Sequence, residues 1–373
     1  MNYKLHNTII HDMDVGISQY SDGNNRIHKP ENDHWDAFDN NYYELISDPS
    51  GWESFRRNGI TCMLETGLYA RDRKDYIKNR KLYPEYYSDV EIAEMETRLS
   101  ELTEMAGLKF IKKFTDCEVG NPRHCVIDGV KYNFDDVYNI YALWQIQRTM
   151  SHVDCKPKTI LEIGAGYGGL CSKLLNMYPN SKYIILDLPE SLAVQHYNLA
   201  SIDPKRKILS LKDIKDEEDI HELLTTSEYD IALLPSWYGS KIKSIEIDLI
   251  INMRSLGEMT TDLLSYYFDI IHTTLRKRGI FYCVNRYVFT SSNHKLKLKD
   301  YPFDEDWNFI VSQPQWLQTH LHEWISLRQR NEHVSPSFIM QSMSERVPPP
   351  GPIMEDILPQ KLWIENNMEG NNS

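Results

Sequence analysis

Two carboxylates bracket a glycine-rich turn in this chain. The run Ile160–Leu170 reads ILEIGAGYGGL, with Glu162 two residues ahead of Gly164, then Ala165, Gly166 and Gly168. Asp187, followed by Leu188, ends the next apolar run, YIILDL. Glycines at such a turn let backbone approach a ligand closely, and the N–H groups of the helix behind it favour an electron-rich one. A carboxylate at the end of the following strand can accept both hydroxyls of a ribose.

Gly164, Gly166 and Gly169 also fit the dinucleotide fingerprint G-x-G-x-x-G, a weak signal by itself. Glu162 separates the candidates. A carboxylate there repels a pyrophosphate and suits a ligand with a cationic amino group, such as S-adenosylmethionine. Asp187 serves an adenosine of either kind. The pair therefore favours a methyl donor over a nicotinamide dinucleotide.

Methyl transfer aligns an acceptor oxygen with the methyl carbon, and a hydroxyl acceptor is helped by a general base. Candidates cluster in three segments that follow apolar runs. In Leu234-Pro-Ser-Trp237, Ser236 and Trp237 can meet an adenine edge and face, or Trp237 can pack on a neighbouring region. Asp213 is a rival adenine contact if KILSL is the third strand. In Asn252–Met259, Asn252, Arg254 and Glu258 offer polar groups, although Ser255–Glu258 also reads as a capping box. In Asn285-Arg286-Tyr287, Arg286 either holds an acceptor carboxylate or phosphate or ties the C-terminal block to the sheet. His322, beside Glu323 and Trp324 in a segment read as helical (315–330), is a second candidate base. No cluster of histidines and acids signals a metal.

These groups need a scaffold that brings strand ends together. From Thr159 onward short apolar strands alternate with helices: strands at 159–163, 183–188, 207–211, 229–234, 248–252 and 279–285, and helices at 168–177, from Pro189 towards Ala200, and near 258–277. That alternation predicts a Rossmann-like α/β fold, a doubly wound, mostly parallel sheet. Upstream, Ser88-Asp-Val-Glu91 is a capping box, Gly107 a helix stop, 108–132 short strands with a turn at Asp128-Gly129, and Asn133 a helix cap. The expected organisation is a mainly helical region over 1–150, including pieces near Trp35–Ile46, the nucleotide domain over 151–290, and an extension over 291–373 with a proline-rich stretch and a disordered tail.

Composition narrows the partners. A formal net charge of −13 disfavours nucleic acid, and the basic run Arg71–Arg80 is diluted by Asp and Asn. The six cysteines form no C-x-x-C pair, consistent with a reducing, cytoplasmic setting. No run is long and apolar enough to span a membrane. The number of copies in an assembly stays open, a homo-oligomer included.

The strings LEIGAGYGGL, YIILDLPESL, ALLPSW, DLIINMRSLGEM and GIFYCVNRY, with VGNPR and YNFDDVYNIYALWQIQR upstream, together resemble the sugar O-methyltransferases. These are class I enzymes often encoded with bacterial polysaccharide genes. The resemblance covers roughly residues 115–330. It implies S-adenosylmethionine as donor and a sugar, glycan or sugar-bearing small molecule as acceptor. It also implies a donor site holding Glu162, Gly164, Gly166 and Asp187, with Ala165 and Leu188 as their neighbours.

Overall fold

The computed structural model describes residues 3–21, 49–57, 85–115, 118–226, 228–290 and 295–329. They fall into two units: Met1–Tyr43 with Ala142–Val347, and Glu44–Tyr141 with Pro348–Ser373. The boundaries expected at 150 and 290 lie elsewhere. The first 43 residues group with the sheet, and the sheet itself continues past 290. The helical pieces expected at Trp35–Ile46, the run Arg71–Arg80 and the proline-rich tail lie outside the described residues.

Helix α1 (Tyr3–Ser21) belongs to the larger unit; in the smaller one the short α2 (Pro49–Glu53) precedes α3 (Asp89–Ala106). Ser88 caps α3 as expected, its hydroxyl accepting from Glu91 N while Glu91 accepts from Ser88 N, and Gly107 ends it at φ 84. Residues Leu108–Phe114 form helix α4 and not a strand, because Ile111 and Phe114, three apart, bury one helical face. The hairpin β1 (Cys125–Ile127) and β2 (Val130–Tyr132) turns at Asp128 and Gly129, both with positive φ, as a two-residue hairpin turn requires. Arg123 grips both oxygens of the buried Glu91 at 2.9 and 3.0 Å. Asn133 caps α5 (Phe134–His152) by accepting from Asp136 N at 2.7 Å, and α5 runs on into the larger unit.

The larger unit is built on eight strands: β3 (Thr159–Ile163), β4 (Lys182–Asp187), β5 (Ile208–Leu209), β6 (Ile231–Pro235), β7 (Ile247–Met253), β8 (Leu275–Arg286), β11 (Trp307–Pro314) and β12 (Leu321–Arg328). Their spatial order is β5-β6-β4-β3-β7-β8-β12-β11. The first six run parallel, β12 runs antiparallel to them, and β11, antiparallel to β12, runs in the direction of the first six. A separate hairpin, β9 (Val288–Thr290) with β10 (Lys295–Lys297), follows β8. The Rossmann-like, doubly wound, mostly parallel sheet is thus present. Helices α6 (Gly169–Met177), α7 (Pro189–Ile202), α8 (Ile220–Thr226) and α9 (Thr261–Thr274) make the connections. The chain winds one way from β3 through β4 and β6, then returns to place β7 on the other side of β3. A ligand crevice opens at that reversal, beyond the carboxyl ends of the strands.

Three expectations are corrected. Within the 315–330 segment Leu321–Arg328 is strand β12 and not helix. Both of its faces are buried, so its apolar residues do not alternate with exposed polar ones and the periodicity misleads. The strand at 207–211 shrinks to Ile208–Leu209 at the sheet edge, and β6 stands third from β3. The helix after β7 starts at Thr261, capped by the Thr260 hydroxyl, and no capping box forms at Ser255–Glu258.

Helix α1 belongs to the sheet unit, where it lies across α7. Gly16 makes the crossing possible: a Cβ there would sit 2.9 Å from Pro189 Cβ and Cγ. Ile9 and Met13 are buried in the crossing, and the Ser210 hydroxyl donates to Asp12 Oδ2 at 2.6 Å. Gly16→Val should overpack this contact and lower unfolding free energy by about 1–3 kcal/mol, read as a lower urea midpoint at unchanged slope.

Candidate functional site at the carboxyl edge

The glycine turn needs its glycines. Gly164, Gly166 and Gly168 have φ of 71, 58 and 82 degrees, a region that costs side chains. At Gly164 space forbids a side chain as well, since a Cβ would lie 2.3 Å from the Ser255 hydroxyl. Helix α7 braces the turn from one side: Gln195 donates to Gly166 O at 3.0 Å and Asn198 to Tyr167 O at 2.9 Å. Both amides are fully buried.

Asp187 joins this brace. Its Oδ2 accepts from Ala165 N at 3.0 Å and from Gln195 at 2.6 Å, and its Oδ1 from Leu188 N at 2.8 Å. Glu162, 2% exposed, accepts at Oε2 from the Tyr183 hydroxyl at 2.6 Å. Burial pushes Glu162 up to about 7, with the nearby Asp187 adding to it, and pushes Asp187 up to about 6 against its hydrogen bonds. Among the described residues neither acid makes an ion pair with a lysine or arginine. The buried Glu162 and the half-buried Asp187, flanking a turn of left-handed glycines, form a cradle suited to a small cationic ligand with hydroxyls to donate.

Asn252 ties the strand ends together. Its amide nitrogen donates to Ile163 O at 2.8 Å and to the Ser255 hydroxyl at 2.5 Å, and its oxygen accepts from Leu256 N at 3.3 Å and Asn285 Nδ2 at 2.8 Å. Asn285 in turn accepts from Gly257 N at 3.0 Å. With both ends of its amide taken and no exposure, Asn252 acts as a clasp between β3, β7 and β8.

The remaining candidates are spread along the same edge. Glu258 sits in a 3-10 turn, Leu256–Glu258, just past β7; its N–H donates to Ser255 O, while the Ser255 hydroxyl turns to Ile163 O. Ser236 and Trp237 follow β6, both buried. The indole packs in the apolar core and its ring centroid lies 6.4 Å from that of Tyr20 on α1, which favours the packing role for Trp237. Asp213 is taken up in its own turn, accepting from Ser210 N at 2.9 Å. His322 is fully buried on β12, opposite Asn285, between the Tyr287 hydroxyl at 2.9 Å from Nδ1 and the Ser312 hydroxyl at 3.0 Å from Nε2. Its described contact towards the edge is the Tyr287 hydroxyl. Among the described residues no group of three or more His, Cys, Asp or Glu could hold a metal, and no helix is long and apolar enough to cross a membrane.

No family model matches the chain, and no curated protein matches it. Solved structures similar to it include methyltransferases. One is an O-methyltransferase family protein from Burkholderia thailandensis, at 11% identity over 53% of this chain and 60% of that one, TM-score 0.30. A second is an O-methyltransferase family 2 protein from Planctomyces limnophilus in complex with apigenin, at 14% identity over 45% and 50%, TM-score 0.31. A third is the N-methyltransferase NodS from Bradyrhizobium japonicum in complex with S-adenosyl-l-homocysteine, at 13% identity over 52% and 88%, TM-score 0.32. The match spans less than two thirds of the first two proteins, and at this distance none of the three assigns an activity.

Sequence reading missed the partners of the acids, Tyr183 and Gln195, and those of Asn252, Ser255 and Asn285. A signal for one existed. Leu192, Gln195, Asn198 and Leu199 share a helical face, so two amides stand where apolar residues belong. The acids also set a pH dependence. Glu162 rises in the fold from 4.5 to about 7, so its contribution is fully present below pH 4.5 and is lost as pH rises through 7. That shift is worth about 3 kcal/mol. Urea titrations of the ligand-free protein at pH 5 and pH 8 should show the fall, and Glu162→Gln should flatten it.

Proposed function

We propose that the chain is an S-adenosylmethionine-dependent O-methyltransferase that methylates a hydroxyl of a sugar or sugar-containing molecule. The observation that carries the donor half is the pair of acids around the glycine turn, Glu162 buried and Asp187 half-buried. Glu162 takes the ammonium of the donor as its ion pair, and Asp187 takes the ribose hydroxyls. Backbone at Ala165 and Gly166 approaches the ligand, and Leu188 lines the adenosine side with Ser236. The donor, when bound, supplies an electrophilic methyl on a sulfonium.

A dinucleotide fits less well. Its pyrophosphate would meet Glu162, and where the dinucleotide-binding sheet has a sixth parallel strand this sheet has the antiparallel β12. A subunit that binds the donor without turning it over keeps the same donor site but needs no base.

On the acceptor side, Glu258 is the proposed base. It receives the acceptor proton as the oxygen bonds to the methyl carbon and the carbon–sulfur bond breaks. His322, screened from the edge, orients the Tyr287 hydroxyl instead. Asn252 holds the loop that carries Glu258. The O-methyl and sugar assignments rest on the ordered strings shared with the sugar O-methyltransferases.

Calorimetry with S-adenosylhomocysteine tests the donor half. Binding should strengthen from pH 6 to pH 8 as Glu162 ionises, and Glu162→Gln should weaken it at pH 8; absence of binding rejects the proposal. With a panel of sugar acceptors, Glu258→Gln should lower kcat by about 10²-fold or more without changing donor affinity. An unchanged kcat removes Glu258 from the role.

A further inference from the structure

One helix straps the two loops that the reading above assigns to adenosine. Those loops begin side by side, because Asp187 at the end of β4 stands opposite Pro235 at the end of β6. Leu188 and Ser236 come next, followed by Pro189 and Trp237. Helix α1 packs on both. A Cβ at Gly16 would lie 2.9 Å from Pro189 Cβ and Cγ and 3.2 Å from Leu211 Cδ1, so the backbone of α1 rests directly on the start of α7. One turn further, the Tyr20 ring centroid is 6.4 Å from that of Trp237, and Gln19 Oε1 accepts from the Tyr238 hydroxyl at 3.2 Å. Positions 16, 19 and 20 share one face of a helix. A single rigid face thus reaches from the loop after β4 to the loop after β6.

The earlier turns of α1 are seated less firmly. A cavity of about 20 Å³ lies between this part of the helix and the sheet unit, lined by Asp12, Met13, Leu192, His196, Ser210 and Leu211. That is room for one water, so side chains alone do not close the seat here. Asp12 is buried beside it, and burial pushes its carboxyl above the ordinary range despite the Ser210 hydroxyl and the Lys212 charge. A helix held by close packing at one end, and by a loosely packed polar contact at the other, has only a modest hold on the sheet. Such a helix opens more readily than the core beneath it, and its seating responds to whatever fixes the loops it rests on.

We infer that Gly16, Gln19 and Tyr20 of α1 are positioning residues for the adenosine end of the donor site, and that the seating of α1 is coupled to donor binding. The inference deepens the reading above and rests on it for what lies between the two loops. No contact between α1 and the donor is needed. A donor held by Leu188 and Ser236 fixes the separation of the loops that α1 straps, and a seated α1 fixes the separation the donor requires. Coupling of this kind is reciprocal: the factor by which α1 strengthens the donor is the factor by which the donor strengthens the seat.

Two measurements on the full chain test this, with S-adenosylhomocysteine as the probe. Peptide-resolved hydrogen exchange should show the amides of α1 slowed about fivefold or more by saturating ligand. Calorimetry should show Gly16→Val raising the Kd of the same ligand by a similar factor. Tyr20→Ala, which removes one ring contact and overpacks nothing, should also raise the Kd and speed α1 exchange. Ser18→Ala, at an exposed position of α1, should leave both readouts unchanged. A helix that serves stability alone behaves differently: its loosening lowers the urea midpoint but leaves the Kd and the ligand-dependent slowing as they were. Ligand bound by calorimetry with α1 exchange unaltered, or an unchanged Kd in both Gly16→Val and Tyr20→Ala, therefore overturns the coupling alone. Absence of binding in calorimetry overturns the donor reading, and the coupling with it.

Discussion

Asn252 spends its whole hydrogen-bonding capacity on three neighbouring strand ends, and the carboxyl edge is organised around that. Its amide reaches Ile163 O at the end of β3, Ser255 and Leu256 past β7, and Asn285 at the end of β8. Ser255, once drawn in, occupies the space a side chain at position 164 would need, so the glycine turn and the β7 loop specify one another. A network with every member paired fixes geometry; leaving one amide group unpaired in this setting would cost about 1–3 kcal/mol. The glycine turn and the loop after β7 are held at a set separation by one buried side chain.

The same edge carries a standing electrostatic cost. Glu162 and Asp187 have Tyr183, Gln195 and backbone N–H groups as neighbours, dipoles that only partly replace water. Elsewhere the protein handles buried charge differently: Glu91 in the smaller unit is matched by Arg123. Among the described residues Glu162 and Asp187 make no ion pair, which sets them apart from a structural pair such as Glu91 with Arg123.

The central strands were legible because apolar runs bounded by glycine and proline leave few alternatives, and β3 matches its expected bounds residue for residue. The acids stood out because a carboxylate inside such a run needs a reason. What escaped had physical causes. Strand β12 is covered on both faces, so His322, Trp324 and Ser326 are as buried as Leu321, Glu323 and Ile325, and period two vanishes. Leu108–Phe114 is too short for its helical spacing to outweigh a β-like composition. The roles of Asn252 and His322 depend on partners 33 and 35 residues away in sequence, Asn285 and Tyr287, which no local pattern announces.

Helix α1 has a consequence for how the chain reaches this state. Its described hydrogen bonds to the sheet unit are remote: Asp12 meets Ser210 across 198 residues, and Gln19 meets Tyr238 across 219. Loop closure of that length is an entropic barrier that local helix formation does not lower. During synthesis α1 emerges roughly 10–40 s before its groove exists, at ordinary elongation rates. Ile9 and Met13 have no cover in that interval, so the crossing at Gly16 is a late event in assembly and a place where a nascent chain needs protection from its neighbours.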